Sequence, residues 1–200
     1  MDTARLEAFS DGVFAVAITL LVLEIKVPHS GALGAGLLLL WPSYLAYAIS
    51  FVVIGAIWIN HHVMFEWIVK ADRQLLLLNT LLLLFIAFLP FATAVLAEAF
   101  HQRVDQDIAA AFYGSTLAVI GLFVNFMWRY CSRNPELLSH TITPEQVKAI
   151  GKRYALGPVG YAVATLSAFF SPWVSILIFI GLNVFFLWPR RKLEPTPVPK

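Results

Sequence analysis

From Leu75 to Ala97 the chain carries no charged residue, and its first part, Leu75 to Leu89, is almost unbroken leucine and phenylalanine. A helix of about 20 such residues matches the hydrocarbon thickness of a bilayer, and water offers it no comparable burial. The remainder of the sequence fits the same solvent. Of its 200 residues 60% are hydrophobic and 13% charged, with a mean hydropathy of +0.77, against roughly 45 to 50% apolar in soluble domains. Reading apolar runs between charge clusters gives six spans, near 5–27, 43–65, 74–97, 107–128, 154–171 and 172–188. The expectation is an all-α integral membrane protein, one six-helix transmembrane domain over 1–190, with no room for a soluble catalytic domain. The last two runs meet at Ser171-Pro172, a helix breaker, and read as a tight hairpin. The tail 191–200, with prolines at 195, 197 and 199, reads as a disordered cytoplasmic segment. A lone cysteine, Cys131, excludes an internal disulfide, and a net charge of +2 does not advertise nucleic acid.

Orientation follows from lysine and arginine. With the N-terminus inside, Arg5, Lys70, Arg73, Arg129, Arg133, Lys148, Lys152, Arg153, Arg190, Arg191, Lys192 and Lys200 fall on the inner side, and only Lys26 and Arg103 outside. This positive-inside bias implies an even number of crossings and two cytoplasmic termini. The first run is read as a retained helix rather than a signal peptide, since Asp11 and Glu24 interrupt it and no small-residue cleavage site follows. Leu33 to Trp41, between Pro28 and Pro42, is too short to span and is placed at the outer interface or as an extension of the second span. Arg129 to Arg153 reads as an inner loop in which Thr143-Pro144-Glu145 opens a short surface helix.

Polar side chains inside apolar spans cost several kcal/mol unless partnered, and here they share one depth. Ser10 and Asp11 lie about 8 Å inside the inner end of the first span at 1.5 Å per residue. Trp58, Asn60, His61 and His62 close the second, Asn79 opens the third, and Asn125 and Asn183 lie near the inner ends of two others. One reading is a structural hydrogen-bond network that ties Asp11 to His61 or His62 and to Trp58. The other is a proton relay or a metal site using the histidines, Asp11 and Glu66. Adjacent histidines on a helix diverge by about 100°, which sets them against sharing one ion, so the structural network is favoured and no metal is assigned.

The first span holds a second pattern. At 100° per residue, Arg5, Phe9, Gly12, Val16, Thr19, Leu20, Leu23 and Val27 form one stripe, and Asp11 points about 120° away from it. Around an axis shared by several copies, such a stripe would make rings of Leu and Val that gate by dewetting, with a Thr hydroxyl in reach of an ion.

Arg5-Leu6-Glu7-Ala8-Phe9-Ser10-Asp11 has the form R-x-x-x-F-S-D and runs directly into this stripe. It resembles the signature of the endosomal and lysosomal potassium channel family, transmembrane protein 175, in its bacterial branch. Trp58-Ile-Asn-His-His-Val-Met-Phe65 resembles that branch's second motif. The resemblance implies a six-helix homotetramer in the bacterial inner membrane whose central pore is lined by four copies of the first helix. It places the hydrophobic layers and the selectivity-linked threonine on Val16, Thr19 and Leu23, with Leu20 beside them. It places Arg5, Phe9, Ser10 and Asp11 in a network with Trp58, His61, His62 and Asn79. Val16 departs from the family's usual isoleucine or leucine, and the shorter side chain would widen that layer.

Three function classes follow. The leading one is a passive, potassium-preferring cation channel without cofactor, whose partners are its own copies, the bilayer and the permeant potassium ion. The alternative is a proton-coupled small-solute or ion transporter using Asp11 and the His61/His62 pair. A membrane hydrolase has neither a His-Glu-x-x-His nor a Gly-x-Ser-x-Gly motif to support it, so the chain is not read as an enzyme. Pro158-Val-Gly-Tyr-Ala162 resembles the filter of ordinary potassium channels but sits on the inner side, and Gly157 to Gly160 is read as the start of the fifth span.

Overall fold

The computed structural model describes residues 3–28 and 32–188. The tail 191–200, with the inner cations Arg191, Lys192 and Lys200, and Arg190 before it lie outside the described residues. Those described are helical almost throughout: α1 (Ala4–Leu20) continued by a 3-10 turn (Leu21–Glu24), α2 (Leu33–Leu39), α3 (Trp41–Phe65), α4 (Arg73–Gln102), α5 (Gln106–Arg133), α6 (Pro144–Ala168) and α7 (Pro172–Leu187). Four are long and apolar enough to cross a membrane: Ala4–Glu24, α3, α4 and α5. The protein is therefore an all-α membrane protein. The first helix is shorter than the expected 5–27, because α winding stops at Leu20, tightens, and gives way to extended backbone at Ile25.

Short connections make neighbouring helices antiparallel. Asp72 caps α4 by accepting the Leu75 N–H at 2.9 Å, and Arg103 and Asp105 turn the chain into α5 with positive φ of 58° and 51°. Between α5 and α6 the packing is closest where glycine removes bulk. A Cβ on Gly121 would meet the Pro158 nitrogen of α6 at 3.1 Å, and one on Gly114 would meet the Thr165 hydroxyl of α6 at 2.5 Å and the Phe179 ring of α7 at 2.8 Å. Large apolar side chains such as Ile54, Leu82, Leu89, Leu117 and Phe179 fill the interior. A second polar cluster sits among them: Thr93 donates to Ser50 at 2.8 Å, and Ser50 and Tyr113 share a bond of 2.9 Å, tying α3, α4 and α5.

Two sequence expectations are corrected here. The segment from Arg129 to Arg153 is mostly helix, because Thr143 and Gln146 form a capping box behind Pro144 and α6 then runs without a break. The fifth helix thus begins ten residues before the expected residue 154, with no separate surface helix. Gly157 and Gly160 consequently lie inside α6, since a well-capped start and close packing on α5 carry the helix through Pro158.

The end of the bundle where α1, α4 and α6 begin is basic. There the loops 66–72 and 134–142 pair through an isolated antiparallel bridge, Ile68 with Leu138, and the Val69 N–H donates to the Leu137 carbonyl at 2.9 Å. Asp72 joins this tie by accepting the Tyr130 hydroxyl of α5. Desolvation raises the Asp72 pKa, but the Tyr130 hydroxyl and the Leu75 N–H together hold it below the usual carboxylate value. A lowered folded pKa contributes stability that is present above the unfolded value and lost as pH falls through the folded one. Thermal unfolding of the purified protein should lose part of its acid sensitivity in Asp72→Asn, and an unchanged acid limb would remove Asp72 from the tie.

The uncovered face of the first helix and its anchor

Only one face of α1 is covered by the rest of the chain. Leu6, Ser10, Phe14, Ala17 and Leu21 are buried, and the neighbours in contact are α3 and α4. The opposite face is open: Phe9 and Val16 are each 58% exposed, Leu20 41% and Leu23 62%, and Arg5, Gly12 and Thr19 lie on the same side. These include the residues of the stripe read from the sequence. The 3-10 turn changes their alignment. Three residues make one full turn there, so Leu23 sits directly over Leu20, about 6 Å along the axis. Thr19 donates its only hydroxyl proton to its own helix, at 2.9 Å from both the Ala15 and Val16 carbonyls. Its oxygen therefore remains available only as an acceptor, on an exposed residue.

Behind this face, two polar links hold α1. Trp58 of α3 donates its indole N–H to Asp11 at 2.8 Å, a charge-assisted bond at the edge of the open side. The second link is a directional chain through the interior. Ser10 donates to the Leu6 carbonyl at 2.8 Å, which leaves its oxygen to accept the Asn79 amide N–H at 2.9 Å. Asn79 is thereby oriented with its carbonyl toward His61 Nε2, 2.9 Å away, so that nitrogen carries a proton and donates. Phe14 and Phe65 enclose the imidazole, with ring centroids 5.4 and 4.6 Å away. His61 and Asn79 are 4% and 0% exposed, so every partner in this chain is desolvated.

The remaining polar residues go elsewhere. His62 stacks on Trp58 with centroids 6.2 Å apart, and neither histidine is hydrogen-bonded to Asp11; His61 directs its Nε2 at Asn79 in the interior instead. Arg5 is exposed and makes no hydrogen bond or ion pair with a described residue. Asn60 donates to Ala56 and, at 3.4 Å, to Phe186 of α7, while Asn183 donates to Phe179 in its own helix. Among the described residues no three His, Cys, Asp or Glu side chains gather where they could hold one ion. Sequence reading missed Phe14, which carries no polar signal, and the Ser50, Thr93 and Tyr113 cluster, which does.

The family model of the endosomal/lysosomal potassium channel TMEM175 matches residues 5–90, the part that holds both links and the open face. A potassium channel of Chamaesiphon minutus is 41% identical over 190 residues, 92% of this chain and 93% of that one. The chain belongs to the TMEM175 family. A potassium channel of Streptomyces collinus is 41% identical over 173 residues, 85% of this chain and 84% of its own length. The crystal structure of a lysosomal potassium-selective TMEM175 homolog from Chamaesiphon minutus superposes with a TM-score of 0.83 at 40% identity, covering 92% of this chain and 95% of that one. Just ahead of the matched residues, α1 begins at Ala4, and it packs against α3 and α4.

Proposed function

We propose that four copies of this chain surround a passive, potassium-preferring cation pore lined by α1, in the inner membrane of a bacterium with both termini cytoplasmic. The observation that carries this reading is the open face of α1. In a lone chain it would put the Asp11 carboxylate and its Trp58 partner at a lipid-facing edge, where an ionised group costs at least about 2.5 kcal/mol. A closed ring of copies around α1 covers that edge and turns the stripe toward an axis. The number four is the one the family resemblance implies, and the relatives named as potassium channels supply the ion.

Six crossings fit the helices. Ala4–Glu24, α3, α4 and α5 supply four, and α6 and α7 form the last hairpin. At 16 residues α7 is about 24 Å long, short of a roughly 30 Å core. Aromatic residues flank it at both ends, with Trp173 stacked on Trp41 at 6.1 Å and Trp188 71% exposed, as expected of interfacial anchors.

Within the pore, Val16, Leu20 and Leu23 form apolar rings and Thr19 a ring of hydroxyl acceptors. The Ser10, Asn79 and His61 chain and the Asp11 to Trp58 bond hold the helix in place and conduct nothing. Purified protein in liposomes should pass potassium down its gradient without any proton gradient, and sodium more slowly. Flux that appears only with a proton gradient would favour the transporter using Asp11 and the His61/His62 pair. Asp11→Ala separates the two by assembly. The channel reading expects loss of the oligomer on size exclusion, since the Trp58 N–H loses its acceptor, whereas the transporter reading expects an intact but inactive assembly.

A further inference from the structure

At the basic end, α5 and α6 diverge around a cleft of about 380 Å³, away from α1. Four cations line it, one turn apart in each pair: Arg129 and Arg133 on α5, Lys148 and Lys152 on α6. No carboxylate lines the cleft, and none of the four makes an ion pair or hydrogen bond with a described residue. The remaining wall is not a solvated surface. Trp128 is 1% exposed, and its indole N–H is spent on the Val147 carbonyl at 3.1 Å. Asn125, at the deep end, is 7% exposed and makes no hydrogen bond with a described residue. Its amide opens to the cleft and can meet a ligand that brings both donors and acceptors.

Beyond the cleft, away from the basic end, the same helix faces turn apolar. Leu122 is one heptad from Arg129, Val159 one heptad from Lys152, and Leu166 one further, and they are 39%, 62% and 64% exposed. A cationic floor with an apolar strip running up from it matches the chemistry of a phospholipid with an anionic headgroup. From this geometry we infer that the cleft binds the phosphate of an anionic phospholipid of the cytoplasmic leaflet, with Arg129, Arg133, Lys148 and Lys152 around the phosphate oxygens and Asn125 on the glycerol or ester oxygens. A scattered positive-inside bias would not place four cations in one cleft with no carboxylate among its lining residues. The inference rests on the membrane topology proposed above but not on conduction, and its test reads no ion flux, so its failure and that of the channel reading are distinguishable.

The full chain, purified in detergent, is titrated with short-chain phosphatidylglycerol and separately with short-chain phosphatidylcholine, and bound lipid is counted by native mass spectrometry. Wild type is expected to retain the anionic lipid in preference. The pair Arg129→Gln and Lys152→Gln should weaken that retention about thirtyfold, with about fivefold for Lys148→Gln alone, which decides the matter should the pair not fold. Arg129→Lys with Lys152→Arg should keep it, and Lys70→Gln, the same charge loss on the same side, should leave it unchanged. Equal retention of both lipids, or undiminished retention in the charge-removing variants, overturns the assignment. So does inorganic phosphate that binds with the same variant dependence and displaces the lipid, since the cleft would then be a site for free phosphate.

Discussion

Leu23→Ala should raise potassium flux about tenfold in the liposome assay. Leu20 and Leu23 stand in line through the 3-10 turn, so their side chains form two apolar rings about 6 Å apart in a symmetric pore. Such rings resist ions by excluding the water that must accompany them. Truncating Leu23 in every copy widens its ring, and a barrier only about 1.4 kcal/mol lower accounts for a tenfold gain. Folding should be untouched, because Leu23 is 62% exposed in the single chain and contributes little to its core. The hydroxyl ring is tested separately by Thr19→Val, which keeps shape and removes the oxygen. Its expected result is a potassium-to-sodium flux ratio near one with modest change in total flux, whereas Thr19→Ser keeps the ratio. Unchanged flux in Leu23→Ala together with an unchanged ratio in Thr19→Val would remove α1 from the ion path.

The second large effect belongs to Asn79. Leucine has nearly its shape but neither its donor nor its acceptor, so Asn79→Leu strands the His61 N–H and the Ser10 lone pair in a dry interior. Each orphaned group costs about 1 to 3 kcal/mol, a large part of the roughly 5 to 15 kcal/mol that holds a typical domain. The expected result is a substantial drop in the unfolding temperature of the purified protein and loss of the oligomer, since α1 is covered on one side only and depends on this link. Ser10→Ala with Asn79→Leu should recover part of the loss, because it removes one of the two stranded groups. A stable, assembled Asn79→Leu protein that has lost only a proton dependence would instead identify the chain as a relay.

Much of this was legible in the residues themselves. The charge-free run from Leu75 to Ala97 and the lopsided cations dictate helices in a membrane, because backbone polar groups in lipid must be satisfied within each helix. The α1 stripe was legible for a similar reason, as helical periodicity is local and Val16, Thr19 and Leu20 keep their spacing wherever the helix is placed. The depth of the polar belt was likewise a matter of counting residues from the nearest charge.

Which belt members meet is another matter. The expected network tied Asp11 to Trp58 and to one of the two histidines; the Trp58 bond forms, whereas His61 takes Asn79 instead. Hydrogen bonds reach only about 3 Å and depend on direction, so partners 47 and 18 residues apart are chosen by how three helices cross and rotate against one another. The continuation of α6 through Pro158 and the cleft between α5 and α6 arose the same way, from packing at Gly121 and from a cap whose full geometry appears only once folded. Residues a few positions apart along the chain are enough to specify the surrounding solvent, the apolar runs and the open face of α1. The bonds that anchor α1 and the cleft lined by Arg129, Arg133, Lys148 and Lys152 depend instead on distances between helices that no spacing along the chain encodes.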